Sequence, residues 1–364
     1  MPSATPLTLF LGASSNTPGL ARGIHALRLD PASGALTEPV LAAATPNPGF
    51  LALHPNGQVL YASGEAGQIS EKVAAGAVNA YTVEARAGRL SRLGQQPTGG
   101  LSVTHLAADA TGRALVTASY HGGQVAAFPL DRDGRPGPRS ASIQHSGPLG
   151  PNRARQDKPH PHSVTISPDN RFAQVCDLGL DLVVTYRLEP GEATLSAAGL
   201  CPAARGSGPR HSKFSRDGRF LYVINELAST IVVHRHDPAT GLLRPQQTAS
   251  CLPPDFTGES ICAEIHLHPN GRFVYGANRG HDSLAVFARD PDEGGLELVE
   301  IVPCGGRHPR HFALSPDGAW LVCANRDTNS VTVLRVDADS GRLTATPHQA
   351  ALPTPTCVLF CPAT

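Results

Sequence analysis

Histidine, arginine and glutamate recur in this sequence at a fixed distance from a turn. Counting back four residues from the first residue of each turn motif gives Phe50, His105, Ser163, His211, Glu264, His311 and Cys357; counting back five gives Gly49, Thr104, His162, Arg210, Ala263, Arg310 and Thr356. A second set stands at the end of the apolar run after each turn: Glu65, Tyr120–His121, Asp177, Asn225–Glu226, Asn278–Arg279 and Asn325–Arg326. Imidazole, carboxylate and guanidinium in one place make an acid–base centre that also binds an anion. His titrates near neutral pH, a carboxylate can take a proton, and Arg grips carboxylate or phosphate through paired N–H bonds. A single His at a strand start is ordinarily a structural hydrogen-bonder, so the chemistry depends on whether the fold gathers these residues.

The elements that must gather them are repeated. The turns are H-P-N-G ending at Gly57, D-A-T-G at Gly112, S-P-D-N at Asn170, S-R-D-G at Gly218, H-P-N-G at Gly271 and S-P-D-G at Gly318, in steps of 55, 58, 48, 53 and 47 residues. Pro fixes φ early in such a turn, and Gly or Asn tolerates positive φ late. Apolar runs flank each turn, so each unit holds a hairpin. A third, alternating strand leads into a D-P-x-x-G-type turn and occurs seven times, beginning near residues 24, 78, 125, 182, 231, 284 and 331. Seven third strands against six complete hairpins leave the first unit without its opening strand. The tail T-P-T-C-V-L-F-C-P (354–362) superimposes on H-P-R-H-F-A-L-S-P (308–316), which opens the last unit. The sequence therefore predicts an all-β, seven-bladed β-propeller of four-stranded blades, one domain over 1–364. A C-terminal strand (about 354–362) completes the blade formed by about 7–45 and closes the ring. In such a ring the start of each first strand and the end of each second strand share a rim. The ionisable residues of at least five repeats then converge on one mouth of the central channel. A β-sandwich would not keep seven third strands in phase, and a single Trp excludes WD40 repeats.

Composition narrows the function classes. Lys+Arg 30 balance Asp+Glu 30, and no Lys/Arg run exists, which argues against nucleic acid or an anionic membrane as partner. The eight Cys form no C-x-x-C pair, and Cys176 and Cys323 read as small buried hydrophobes. The start M-P-S-A-T-P-L-T-L-F-L-G lacks a basic region, and no apolar run reaches about 18 residues, so a cytoplasmic protein is expected. Segment 63–76 (S-G-E-A-G-Q-I-S-E-K-V-A-A-G) is longer than other connections and reads as a surface insertion or a flexible lip.

The motifs P-H-S-V-T-I-S-P-D-N-R-F (161–172), D-L-G-L-D (177–181), G-P-R-H (208–211), V-I-N-E-L (223–227), A-E-I-H-L-H-P-N-G-R-F-V-Y-G-A-N-R-G (263–280) and P-R-H-F-A-L-S-P-D-G (309–318) resemble the propeller lactonase family. That family includes propeller-type 6-phosphogluconolactonases and fungal carboxy-muconate lactonizing enzymes, and the likeness runs in order along essentially the whole chain. Asn325–Arg326 departs from the Asn-Gln expected there and adds a cation. The resemblance implies that His162, Arg210, Glu226 and Arg279 occupy active-site positions; counting adds His211, Glu264 and Arg310.

The expected chemistry is hydrolysis of a small anionic lactone, with 6-phosphogluconolactone of the pentose phosphate route the first choice. Muconate lactonization is the alternative enzyme, and a non-catalytic binding propeller the alternative outside enzymes. Glu226 or His162 would be the base and the other the acid or its orienter, with Arg210 beside the oxyanion. Arg279, with Arg310 or Arg326, would hold phosphate or carboxylate. Alternatively, Glu226 forms a salt bridge with Arg210 that only shapes the rim. No G-x-S-x-G elbow supplies a nucleophilic Ser, so water attacks directly. His160 and His162, with His211 and Glu264, would be the residues to hold zinc, but H-P-H lacks metal-ligand spacing; no metal, no cofactor and a monomer are expected.

Overall fold

The computed structural model describes the backbone of residues 5–13, 23–70 and 73–362, and the side chains of all of these except 66–70, 73 and 74. Short apolar runs between Gly, Pro, Asn and Asp become strands, and among the described residues the one helical turn is a 3₁₀ turn, Ala85–Ala87. The strands form seven four-stranded sheets, the blades of a seven-bladed β-propeller. Blade 1 contains Leu7–Ala13, Gly23–Leu29 and Val40–Ala43 together with the C-terminal strand Pro355–Phe360. Blade 2 is Leu51–Leu53, Val59–Ser70, Val73–Glu84 and Arg89–Leu101; blade 3 is His105–Ala108, Ala114–Ser119, Gln124–Pro129 and Ala141–Gln144. Blade 4 is Pro161–Ile166, Phe172–Asp177, Leu182–Glu189 and Thr194–Pro202; blade 5 is Pro209–Phe214, Phe220–Asn225, Thr230–His236 and Leu243–Ser250. Blade 6 is Ile261–Leu267, Phe273–Arg279, Ser283–Arg289 and Leu296–Pro303; blade 7 is Pro309–Leu314, Trp320–Asn325, Ser330–Val336 and Leu343–Ala351.

The tail closes blade 1 as the repeat count requires. Leu9 pairs with Phe360, Leu11 with Val358 and Gly12 with Cys357, all antiparallel. The long 63–76 segment is not an irregular loop: its residues extend the two central strands of blade 2 to Ser70 and from Val73, with 71–72 outside the described residues.

The chain divides into two compact units, one of Met1–Leu51, Val83–Ser91 and Ala249–Thr364, the other of Ala52–Thr82 and Arg92–Thr248. In the first, Phe273, Tyr275 and Val286 of blade 6 pack on Phe312, Leu321 and Leu334 of blade 7, and Trp320 and Val322 of blade 7 pack on Leu9, Leu11 and Val358 of blade 1. In the second, Val116 and Val125 of blade 3 pack on Val175 and Tyr186 of blade 4, and Cys176 and Val183 of blade 4 pack on Leu221 and Val223 of blade 5. Second strands covered on both faces are buried at every position, as in Phe172–Asp177, Phe220–Asn225 and Trp320–Asn325. All eight cysteines are buried free thiols.

The turns explain the motif. In S-R-D-G, Ser215 Oγ accepts from the Phe220 amide (3.0 Å) and donates to Asp217 (2.5 Å), while Gly218 takes φ +70°, a conformation most side chains avoid.

The first strands carry the irregularity that positions the site. Pro161 faces Asp177 and Ser163 faces Cys176, so His162 is an extra residue with no partner across the ladder. Arg210 is the extra residue of blade 5 and Arg310 of blade 7, each directly after a proline, Pro209 or Pro309. In blade 6 the register passes from Cys262 to Ile265, leaving Ala263 and Glu264 as the bulge. A bulge breaks the alternation and re-aims its side chain. His162, Arg210 and Arg310, five places before the turn, and Glu264, four places before it, are therefore aimed by the backbone.

Candidate active site

Glu226 follows the second strand of blade 5, where its amide donates to Gly208 O at 2.7 Å. Its carboxylate is 1% exposed, with Arg210 Nε donating to Oε2 at 2.8 Å, Arg155 Nη2 donating to Oε1, and His162 Nε2 3.8 Å from Oε2. The salt bridge to Arg210 weighed from the sequence is therefore present. His162 packs edge-on against His211, centroids 5.1 Å apart, and against Tyr120 at 5.3 Å; His211 packs on His105 at 5.2 Å. Burial raises the Tyr120 hydroxyl above its ordinary pKa, although a hydrogen bond from Arg155 works the other way. Burial opposes the Arg155 charge, yet Glu226 and Tyr120 outweigh it and hold the guanidinium above its ordinary value.

Arg155 comes from the connection between blades 3 and 4, and that connection is pinned. Asp177 Oδ2 meets His145 Nδ1 at 2.8 Å, and Asp177 Oδ1 accepts from the His160 amide at 2.8 Å, so one carboxylate ties both ends. Next to Arg155, the buried Gln156 amide donates to Leu178 O (2.9 Å) and Asp181 Oδ1 (2.8 Å). His160 stacks under Tyr120 at 4.0 Å, with its ring nitrogens on Tyr120 O (2.8 Å) and Asp157 Oδ1 (2.9 Å). Both nitrogens thus face oxygen acceptors, which makes His160 a structural donor and leaves neither for zinc.

The other unit holds a second constellation. Glu264 is wholly buried, 3.0 Å from His311 Nε2 and 3.8 Å from His266 Nε2. Candidate ligand atoms of these three residues lie within 4.8 Å of one another. His311 Nδ1, however, accepts from the Val358 amide at 3.2 Å, so in the neutral ring the proton sits on Nε2, where it donates to Glu264. The arrangement is a hydrogen-bonded dyad and fits a metal poorly.

In the same unit the charges of Arg279, Arg326 and Arg310 act on His308. The His308 pKa is lowered to about 3 by burial first, then by the charges of Arg279, Arg326 and Arg310, against the opposing pull of Asp327. Asp327 Oδ2 lies 3.3 Å from His308 Nδ1, and Arg326 Nε donates to Asp327 Oδ1 at 2.7 Å.

Of the residues read from the sequence, His162, Arg210, Glu226 and His211 come together in one unit. Glu264 pairs with His311 in the other, which also holds Arg279, Arg310 and Arg326, whose charges act on His308. Counting singled out neither Arg155 nor His308. Arg155 sits in a connection with no counterpart in other repeats; its only signal was the basic stretch R-A-R-Q-D-K just before H-P-H.

A His162–Glu226 pair clamped by guanidinium groups on a seven-bladed propeller is an arrangement able to move a proton beside an anion. The family model described as "Lactonase, 7-bladed beta-propeller" matches residues 8–360, and the chain belongs to that lactonase family. It is 36% identical over 355 residues to the 6-phosphogluconolactonase of Bacillus subtilis (strain 168), covering 97% of this chain and 99% of that one. A 6-phosphogluconolactonase of Formosa agariphila is 29% identical over 85% of this chain and 86% of its own. Among solved structures, the periplasmic gluconolactonase PpgL of Pseudomonas aeruginosa superimposes with a TM-score of 0.92 at 33% identity, covering 99% of this chain and all of that one. No helix among the described residues is long and apolar enough to cross a membrane.

Proposed function

We propose that this lactonase hydrolyses a phosphorylated sugar lactone, 6-phospho-D-glucono-1,5-lactone, to 6-phosphogluconate, acting as a monomer in the cytoplasm. The observation that carries the proposal is His162 Nε2 3.8 Å from a Glu226 carboxylate locked by Arg210. Cations on both oxygens favour the anionic carboxylate, so Glu226 orients His162 and stabilises its protonated form. His162 takes a proton as the water oxygen bonds to the ring carbonyl carbon. The tetrahedral intermediate then collapses, the bond from that carbon to the ring oxygen breaks, and the ring oxygen receives the proton from His162. The new carboxylic acid ionises and releases a proton to solvent. Arg279, Arg310 and Arg326 supply cations suited to the phosphate, a role tested by the KM for phosphorylated against unphosphorylated lactone.

The deciding experiment follows proton release on freshly made 6-phosphogluconolactone, with unphosphorylated gluconolactone and 3-carboxymuconate run alongside. Preference for the phosphorylated lactone is expected. Turnover of the unphosphorylated lactone alone would overturn the substrate, and muconate lactonization without lactone hydrolysis would overturn the reaction.

A further inference from the structure

Two guanidinium groups hold Glu226, and they are not equivalent. The Arg210 side chain is 2% exposed and spends its Nε on Glu226 Oε2, whereas the Arg155 side chain, on Oε1, is 36% exposed. We infer that Arg155 is the cation that meets the lactone carbonyl, and that Arg210 is a positioning residue which fixes Glu226; this rests on the lactone hydrolysis proposed above.

The geometry supports that division. A guanidinium has five N–H donors. Arg155 Nη2 bonds Glu226, Tyr120 lies beside the head group, and more than a third of the side chain is open to the solvent from which a substrate arrives. Arg210 presents almost no surface to a ligand. An oxyanion donor must also be preorganised, and Arg155 is: Gln156 and Asp177 fix its backbone, and Tyr120, stacked on His160, bonds its head group. Tyr120 also touches His162, centroids 5.3 Å apart, so one aromatic ring spaces the cation from the base. As water adds to the carbonyl carbon, the π electron pair moves onto the carbonyl oxygen, and Arg155 N–H groups hydrogen-bond to that oxygen without losing a proton. When the ring C–O bond breaks, the pair returns to form the carboxylic acid carbonyl.

A salt bridge to the buried Glu226 that served structure alone predicts something different: a loss of stability with no change in turnover. The test is Arg155→Ala, with steady-state kinetics on whichever lactone the wild type opens. Loss of an oxyanion donor lowers kcat by about 10²–10³-fold, with KM within about threefold. Added methylguanidinium restores part of the lost kcat, because the emptied position is open to solvent. Arg155→Lys keeps the charge without the fork and should fall between the two. Wild-type kcat in Arg155→Ala, or a loss confined to KM, overturns the inference while leaving lactone hydrolysis standing. A wild type inert on every lactone removes the proposed function and this assignment with it. Should the alanine variant not fold, Arg155→Gln takes its place with the same expected loss.

Discussion

Glu226 and Glu264 are both buried carboxylates, each with a histidine nearby, and their partners differ. Glu226 has a guanidinium on each oxygen, while Glu264 faces His311 at 3.0 Å and His266 at 3.8 Å. Arginine does not give up its proton, so the two guanidinium groups favour the Glu226 anion, with His162 Nε2 3.8 Å away. Histidine can give up its proton, so Glu264 and His311 share one along a single hydrogen bond whose far side is anchored by the Val358 amide. The same residue types therefore give two different constellations, Glu226 after a second strand and held by cations, Glu264 on a first strand and held in a hydrogen-bonded dyad. What separates them is the cation count and its access to solvent.

The sharpest way to break this contrast is a pair of isosteric variants. Glu226→Gln should lower kcat by about 10²-fold or more, while Glu264→Gln should cost less than about tenfold. Equal losses by proton release would show that both glutamates serve the reaction. Stability comes next. Arg210→Met leaves a buried carboxylate with one cation and should cost about 3 kcal/mol in urea unfolding. His311→Gln removes a buried hydrogen bond and should cost about 1–3 kcal/mol. Tyr120→Phe, which deletes the hydroxyl bonded to Arg155, should lower kcat about threefold to tenfold with little effect on Tm. The smallest effect is on pH dependence. His308 is held to about 3 by burial and the neighbouring arginines, so between its ordinary value and about 3 the unfolded chain binds a proton that the folded chain refuses. Its contribution is complete above pH about 6.5 and is lost as the pH falls toward 3. His308→Gln should flatten that acid limb in Tm-against-pH curves; an unchanged slope would show that the ring is not kept neutral by its surroundings.

The blades were legible because each leaves a local mark. A turn that needs positive φ at Gly218 or Asn170 calls for Gly or Asn, and a strand covered on both faces is mostly apolar, as in F-L-Y-V-I-N (220–225). The tail was legible by subtraction, since six hairpins cannot serve seven blades. His162, Arg210 and Arg310 could be found by counting because a bulge recurs at one place in the repeat. Arg155 could not, because its position depends on long-range ties from Gln156 to Asp181 and from Asp177 to His160 that no periodicity encodes. The 63–76 segment misled for the opposite reason: small polar residues look like loop, yet pairing between the two central strands of blade 2 carries the ladder on.

The pairing of Leu9 with Phe360 also orders events in time. A ribosome emits Leu7–Ala13 long before Pro355–Phe360, so blade 1 waits three-stranded, one edge bare, until that distant strand has been made.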